Sequence, residues 1–104
     1  MEHAKIEING IHVEMSDQQT RECFARFCLS DILEIRQLTM FDFLGPFIAV
    51  ILTISGGKTI EVYEGDIGAG NLFLELQKRF GIVIEDKPDT ELHLLYSRGN
   101  DEEE

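Results

Sequence analysis

The sequence predicts an α+β domain: an antiparallel β-sheet of about five strands with two helices packed on one face. Three observations lead there. Asn9-Gly10 and Gly56-Gly57 each separate two runs rich in alternating or β-branched apolar residues, the mark of a hairpin. Leu72, Phe73, Leu76 and Phe80 recur at the spacing of one helix face. The composition, 43% hydrophobic and 28% charged with two prolines in 104 residues, suits a chain that buries one core. The domain is assigned to residues 1–98, and residues 99–104, ending Asp101-Glu102-Glu103-Glu104, to a solvated, disordered acidic tail.

In chain order, a two-residue Asn9-Gly10 turn pairs Ile8 with Ile11, Ile6 with Val13 and Lys5 with Glu14, and gathers the apolar side chains on one face. Ser16-Asp17-Gln18-Gln19 has the spacing of a capping box, and Cys23, Phe24, Phe27 and Cys28 follow at helical intervals. These predict a helix over 17–28. A rival reading stays open, because Cys23, Ala25, Phe27 and Leu29 alternate as in a strand; the cap favours the helix. Residues 32–40 read as a strand and Phe41–Pro46 as a loop, since Gly45-Pro46 interrupts regular structure.

Residues 47–55 form the next strand, Gly56-Gly57 a tight turn and residues 58–64 its antiparallel mate. A glycine-rich connection leads into the second helix, over 71–80, with Glu75 and Arg79 one turn apart and Gly81 as the stop. Ile82–Ile84 and Leu92–Tyr96 are short closing strands, with a turn at Pro88. Both faces of Phe47–Ile54 are apolar, so the strand should be covered on both sides. Phe47, Ala49, Ile51 and Thr53, beside Ile60 and Val62, are assigned to the core. The opposite face is left to Leu92, Leu94 and their neighbours, or to another chain such as a second copy.

Charge narrows the functions. Twenty acids against nine bases give a net charge of −11, which opposes direct binding to nucleic acid or anionic lipid and favours a basic protein partner. The longest apolar run, Phe47–Leu52, is far shorter than the ~20 residues of a membrane span, and the N-terminus lacks the layout of a signal peptide. A cytoplasmic location without membrane insertion is the expectation. Cys23 and Cys28, five residues apart, are placed too awkwardly for a mutual disulfide or a shared metal.

No motif points to catalysis. Gly65-Asp66-Ile67-Gly68-Ala69-Gly70 lies where phosphate loops occur, but its glycines are out of order, and Glu64 and Asp66 would repel an anion. His3, His12 and His93 have no nucleophile or metal-ligand pattern beside them in sequence. No enzyme activity, cofactor or metal is expected. The function expected is a non-catalytic acidic interaction module of inhibitor, immunity or adaptor type. Its partner-binding residues are assigned as Phe41, Phe43 and Leu44 in the Gly-Pro loop, with Glu61, Glu64 and Asp66 as acidic contacts. The competing reading folds that loop back over the end of the core.

Ile32-Leu33-Glu34-Ile35, the Gly56-Gly57 hairpin and the helix Asn71–Phe80 resemble the second half of bacterial pleckstrin-homology-like domains, a meander ending in a helix. That resemblance implies a regulatory domain binding peptide or lipid through a sheet edge or loop. Ile8–Ser16 resembles the opening of ribosome hibernation factors, which clamp ribosomal RNA with basic helices; here residues 17–28 hold Arg21 and Arg26 as their basic residues, and the overall acidity opposes that activity. Neither resemblance assigns a family.

Overall fold

Strands β1 (Ala4–Asn9) and β2 (His12–Asp17) meet through a turn at Gly10-Ile11, so that Asn9 pairs with His12, Ile8 with Val13 and Ile6 with Met15. The computed structural model describes residues 4–98, which leaves the acidic tail outside the described residues. Gly10 has φ 68 while Ile11 stays at negative φ, the pattern of a type II′ turn centred on Gly10-Ile11 rather than the expected turn at Asn9-Gly10. The slip relative to the expected register is two residues in the pairing. Because side chains alternate with period two, Ile6, Val13 and Met15 still point inward and are buried. The charged face is rearranged: Glu7 opposes Glu14, with Lys5 at 3.3 Å from Glu7 and Arg26 at 3.2 Å from Glu14.

Residues 17–28 are not a helix. Asp17 Oδ1 accepts the N–H groups of Gln19 (2.8 Å) and Thr20 (3.0 Å), and Arg21, at φ 67, donates its N–H to the Asp17 carbonyl. Asp17, inside the expected Ser16–Gln19 capping box, therefore closes a reversing turn, since Asp side chains accept backbone N–H groups in turns as they do at helix caps. Strand β3 (Cys23–Cys28) returns antiparallel to β2, burying Ala25 and Phe27 and exposing Phe24 and Arg26. Pairing satisfies the β2 edge and buries Ala25, Phe27 and Leu29 of the alternating set, with Cys23 left exposed; a helix would do neither, so the rival strand reading wins.

A 3-10 turn, Leu29–Asp31, leads into the second sheet, ordered β6-β5-β4-β7: β4 (Ile32–Asp42), β5 (Gly45–Ile54), β6 (Thr59–Tyr63) and β7 (His93–Ser97). The described residues thus form seven strands in antiparallel sheets of three and four strands with one α-helix. This mostly-β fold replaces the expected five strands and two helices.

The core face of β5 is the reverse of the expected one. Ile54 N–H donates to Lys58 O and Gly57 N–H to Ile54 O (2.9 Å each), which makes Ser55-Gly56-Gly57 a three-residue loop instead of a two-residue turn. Gly56 and Gly57 supply the positive φ angles it needs, 93° and 85°. One extra loop residue moves the register by one, so Val50 faces Val62 and Leu52 faces Ile60; every β5 side chain changes sides while Ile60 and Val62 stay in the core as expected. Ile48, Val50, Leu52 and Ile54 are buried, while Phe47, Ile51 and Thr53 lie half-exposed on the outer face.

Helix α1 (Ala69–Phe80) buries Ala69, Leu72, Phe73 and Leu76, and Gly81 ends it at φ 65 with its N–H on Gln77 O. Both sheets and the helix contribute to one buried cluster, and Phe80 packs on Tyr96 with ring centroids 4.6 Å apart. Ile82–Ile84, expected as a strand, has no regular structure and is held by glutamine side chains. Ile84 N–H donates to Gln77 Oε1 (3.0 Å), and the buried Gln37 side chain donates to Glu85 O. The sheets are joined where Ile6 N–H donates to Ile67 O (2.7 Å) and Ile67 N–H to Ala4 O (2.9 Å).

Candidate interaction site

The expected loop at Phe41–Pro46 is the end of a hairpin. Ladder pairs Met40–Phe47, Phe41–Pro46 and Asp42–Gly45 continue β4 and β5 to a two-residue turn, Phe43-Leu44. Asp42 fits the turn because its Oδ1 accepts Leu44 N–H at 2.8 Å, and Gly45 fits because φ is 123°. Pro46 is tolerated because the ribbon has no further strand beside it to need its missing N–H.

Neighbouring strands stop short of this end. β7 pairs with β4 no further than Gln37–His93, and β6 pairs with β5 no further than Ala49–Tyr63. Past those points the hairpin is a two-stranded arm with Phe43 91%, Leu44 83% and Phe41 63% exposed. The alternative of a loop folded over the core does not hold for these side chains.

Glu64 fastens the root of the arm. Its N–H donates to Ile48 O, and its Oε1 accepts Ile48 N–H, both at 2.9 Å. Glu61 opposes Ile51, three ladder positions further from the tip, and its carboxylate accepts the Tyr63 hydroxyl. That hydrogen bond, with partial burial and the nearby negative charges, pushes the Tyr63 phenol up to about 12. Tyr63 also meets Phe47 edge-on, with ring centroids 6.3 Å apart.

Asp66 is not at a surface. It is 8% exposed, and its two oxygens accept Ala4 N–H (3.1 Å) and Tyr63 N–H (2.9 Å), binding the start of β1 to the end of β6. Of the residues assigned from sequence, the structure gathers Phe41, Phe43 and Leu44 at the tip, sets Glu64 at the root, leaves Glu61 on the outer sheet face and turns Asp66 inward.

The outer face runs on from the arm. Leu38 pairs with Ala49 and Met40 with Phe47, while Arg36, 2.9 Å from Glu34, marks its charged end. Leu92 and Leu94, expected to cover a sheet face, are 50% and 55% exposed. Beta-branched and aromatic alternation shows that this strand pair is two-sided but not where the neighbouring strands end, so the arm is invisible in sequence.

One pairing escaped the sequence entirely. His12 Nδ1 lies 3.3 Å from Cys28 Sγ, across the β2–β3 ladder. Sixteen residues separate the two, and the pairing exists only once residues 23–28 are a strand. No group of three or more His, Cys, Asp or Glu side chains suited to a metal occurs among the described residues, and no helix among them is long and apolar enough to cross a membrane. Comparison of the chain with protein-family models, curated proteins and solved structures gives no match.

Proposed function

We propose that this protein is a non-catalytic, cytoplasmic interaction module that docks on a basic protein partner through the tip of the β4–β5 arm. The observation carrying this reading is the exposure of Phe41, Phe43 and Leu44 together on one ordered two-residue turn. Large apolar side chains grouped at a projecting tip are stabilised when a partner removes them from water, at about 25 cal/mol per Å² of apolar surface. Aromatic anchors of this kind concentrate binding energy. The net charge of −11 supports a basic partner, whose approach the field accelerates.

Lipid is the weaker occupant, because residues 40–47 contain no Lys or Arg to meet anionic headgroups. The test places a photo-crosslinking amino acid at Phe43 and identifies the adduct by mass spectrometry. A Lys- and Arg-rich protein crosslinked in the native chain and lost in Leu44→Ala supports the proposal. Its association should slow markedly as the Debye length shrinks from ~10 Å at 0.1 M to ~3 Å at 1 M salt. Adducts to a second copy alone, or to vesicles alone, overturn it.

A further inference from the structure

We propose that Cys28 and His12 form a thiol-exchange site, in which the imidazole takes the thiol proton as the sulfur attacks a small neutral or cationic disulfide. The pair has the arrangement that nucleophilic thiol chemistry needs. Sγ and Nδ1 are 3.3 Å apart, within hydrogen-bonding distance for sulfur, on residues that are direct partners in the β2–β3 ladder. Both ends are fixed. Leu29 N–H donates to Ile11 O at 2.7 Å beside the pair, and Cys28 N–H donates to Asp31 Oδ2 at 3.3 Å. A reagent can reach them, because His12 is exposed, Cys28 is half-exposed and both border an open groove of about 390 Å³.

The step balances without a further oxidant. The thiol proton passes to His12 Nδ1, Cys28 sulfur attacks one sulfur of the disulfide, its S–S bond breaks and a new S–S bond forms. The departing thiolate then takes the proton from the imidazolium, giving a mixed disulfide and one free small thiol. Acyl transfer fits this site less well, since it needs N–H donors free to receive an oxyanion, and the Cys28 N–H already donates to Asp31. The charged groups bordering the groove set the reagent class. Arg26 is paired with Glu14 at 3.2 Å, the Asp31 side chain lies beside the thiol, and the whole chain is strongly negative, so anionic disulfides are repelled.

Cys23 is an internal comparison. It is the more exposed of the two thiols, but it turns to the Ala25 carbonyl at 3.5 Å instead of to an imidazole. The test treats separate samples of the intact protein at pH 7 with neutral iodoacetamide or with the cationic disulfide cystamine, and measures each cysteine by peptide mass spectrometry. Cys28 should react at least about tenfold faster than Cys23, as expected for a base in contact with the nucleophile. His12→Gln should remove that advantage without changing the melting temperature, since the side chain is exposed. Equal or slower reaction at Cys28 in the native chain, or an advantage that persists in His12→Gln, overturns the proposal.

Discussion

Gly68 passes Ile6 so closely that a Cβ on Gly68 would stand 2.2 Å from the Ile6 carbonyl oxygen. This contact lies where β1 is joined to the chain leaving β6, and it gives the glycine-rich segment before α1 a structural purpose. Gly68 also has φ 88, a conformation that L side chains resist. Gly68→Ala should destabilise the fold by about 3 kcal/mol, strain and clash together. Gly70→Ala, two residues on and with open space around it, should be neutral or stabilising by about 1 kcal/mol, since the position is helical. Chemical denaturation of the two variants checks the contrast, and equal effects would contradict it.

Asp66 should behave as a clamp instead of a docking residue. Asp66→Asn keeps the shape but turns an NH2 group toward one of the N–H donors of Ala4 and Tyr63. A loss of about 1–3 kcal/mol is expected, the cost of leaving a buried donor unpaired. Urea titration reads it directly.

Phe43 and Phe27 should separate docking from packing. Phe43→Ala should leave the melting temperature within about two degrees, because the ring is 91% exposed. Phe27→Ala, at 6% exposure, should cost about 3–5 kcal/mol. Thermal melts of both variants decide whether the arm contributes to the core.

The phenol of Tyr63, held protonated by Glu61, contributes stability that high pH removes. Its folded-state pKa of about 12 lies above the ordinary 10, so the contribution is present below 10 and is lost as pH rises through 12. Absorbance titration of tyrosinate should show the late component moving toward 10 in Glu61→Gln and vanishing in Tyr63→Phe.

Two carboxylates run the other way. The N–H groups of Thr20 and Gln19 hold Asp17 below the ordinary 3.8, and the Glu91 N–H and His93 ring do the same for Asp89. Their contribution is present above 3.8 and is lost as pH falls through the lowered values. Acid unfolding followed by circular dichroism should show a smaller acid-dependent loss in Asp17→Asn than in the native chain.

Local pattern carried much of this fold. The apolar stripe and Gly81 located α1 within two residues of its start and at its end, because a helix satisfies its own backbone and its signals are near neighbours. Alternation likewise identified β4, β5 and β6, and the inward set Ile6, Val13 and Met15 survived a register slip of two. What the sequence could not decide was pairing between distant segments. Asp17 can cap a helix or close a turn, and the free edge of β2 selected the turn. Gly56-Gly57 announces a reversal, but one additional loop residue set which face of β5 is buried. Of the candidate site, the apolar identity of Phe41, Phe43 and Leu44 could be read directly, whereas their exposure followed from where β6 and β7 end. The Asp66–Ala4 bond and the His12–Cys28 contact belong wholly to the tertiary structure, since only the folded chain brings those partners within reach.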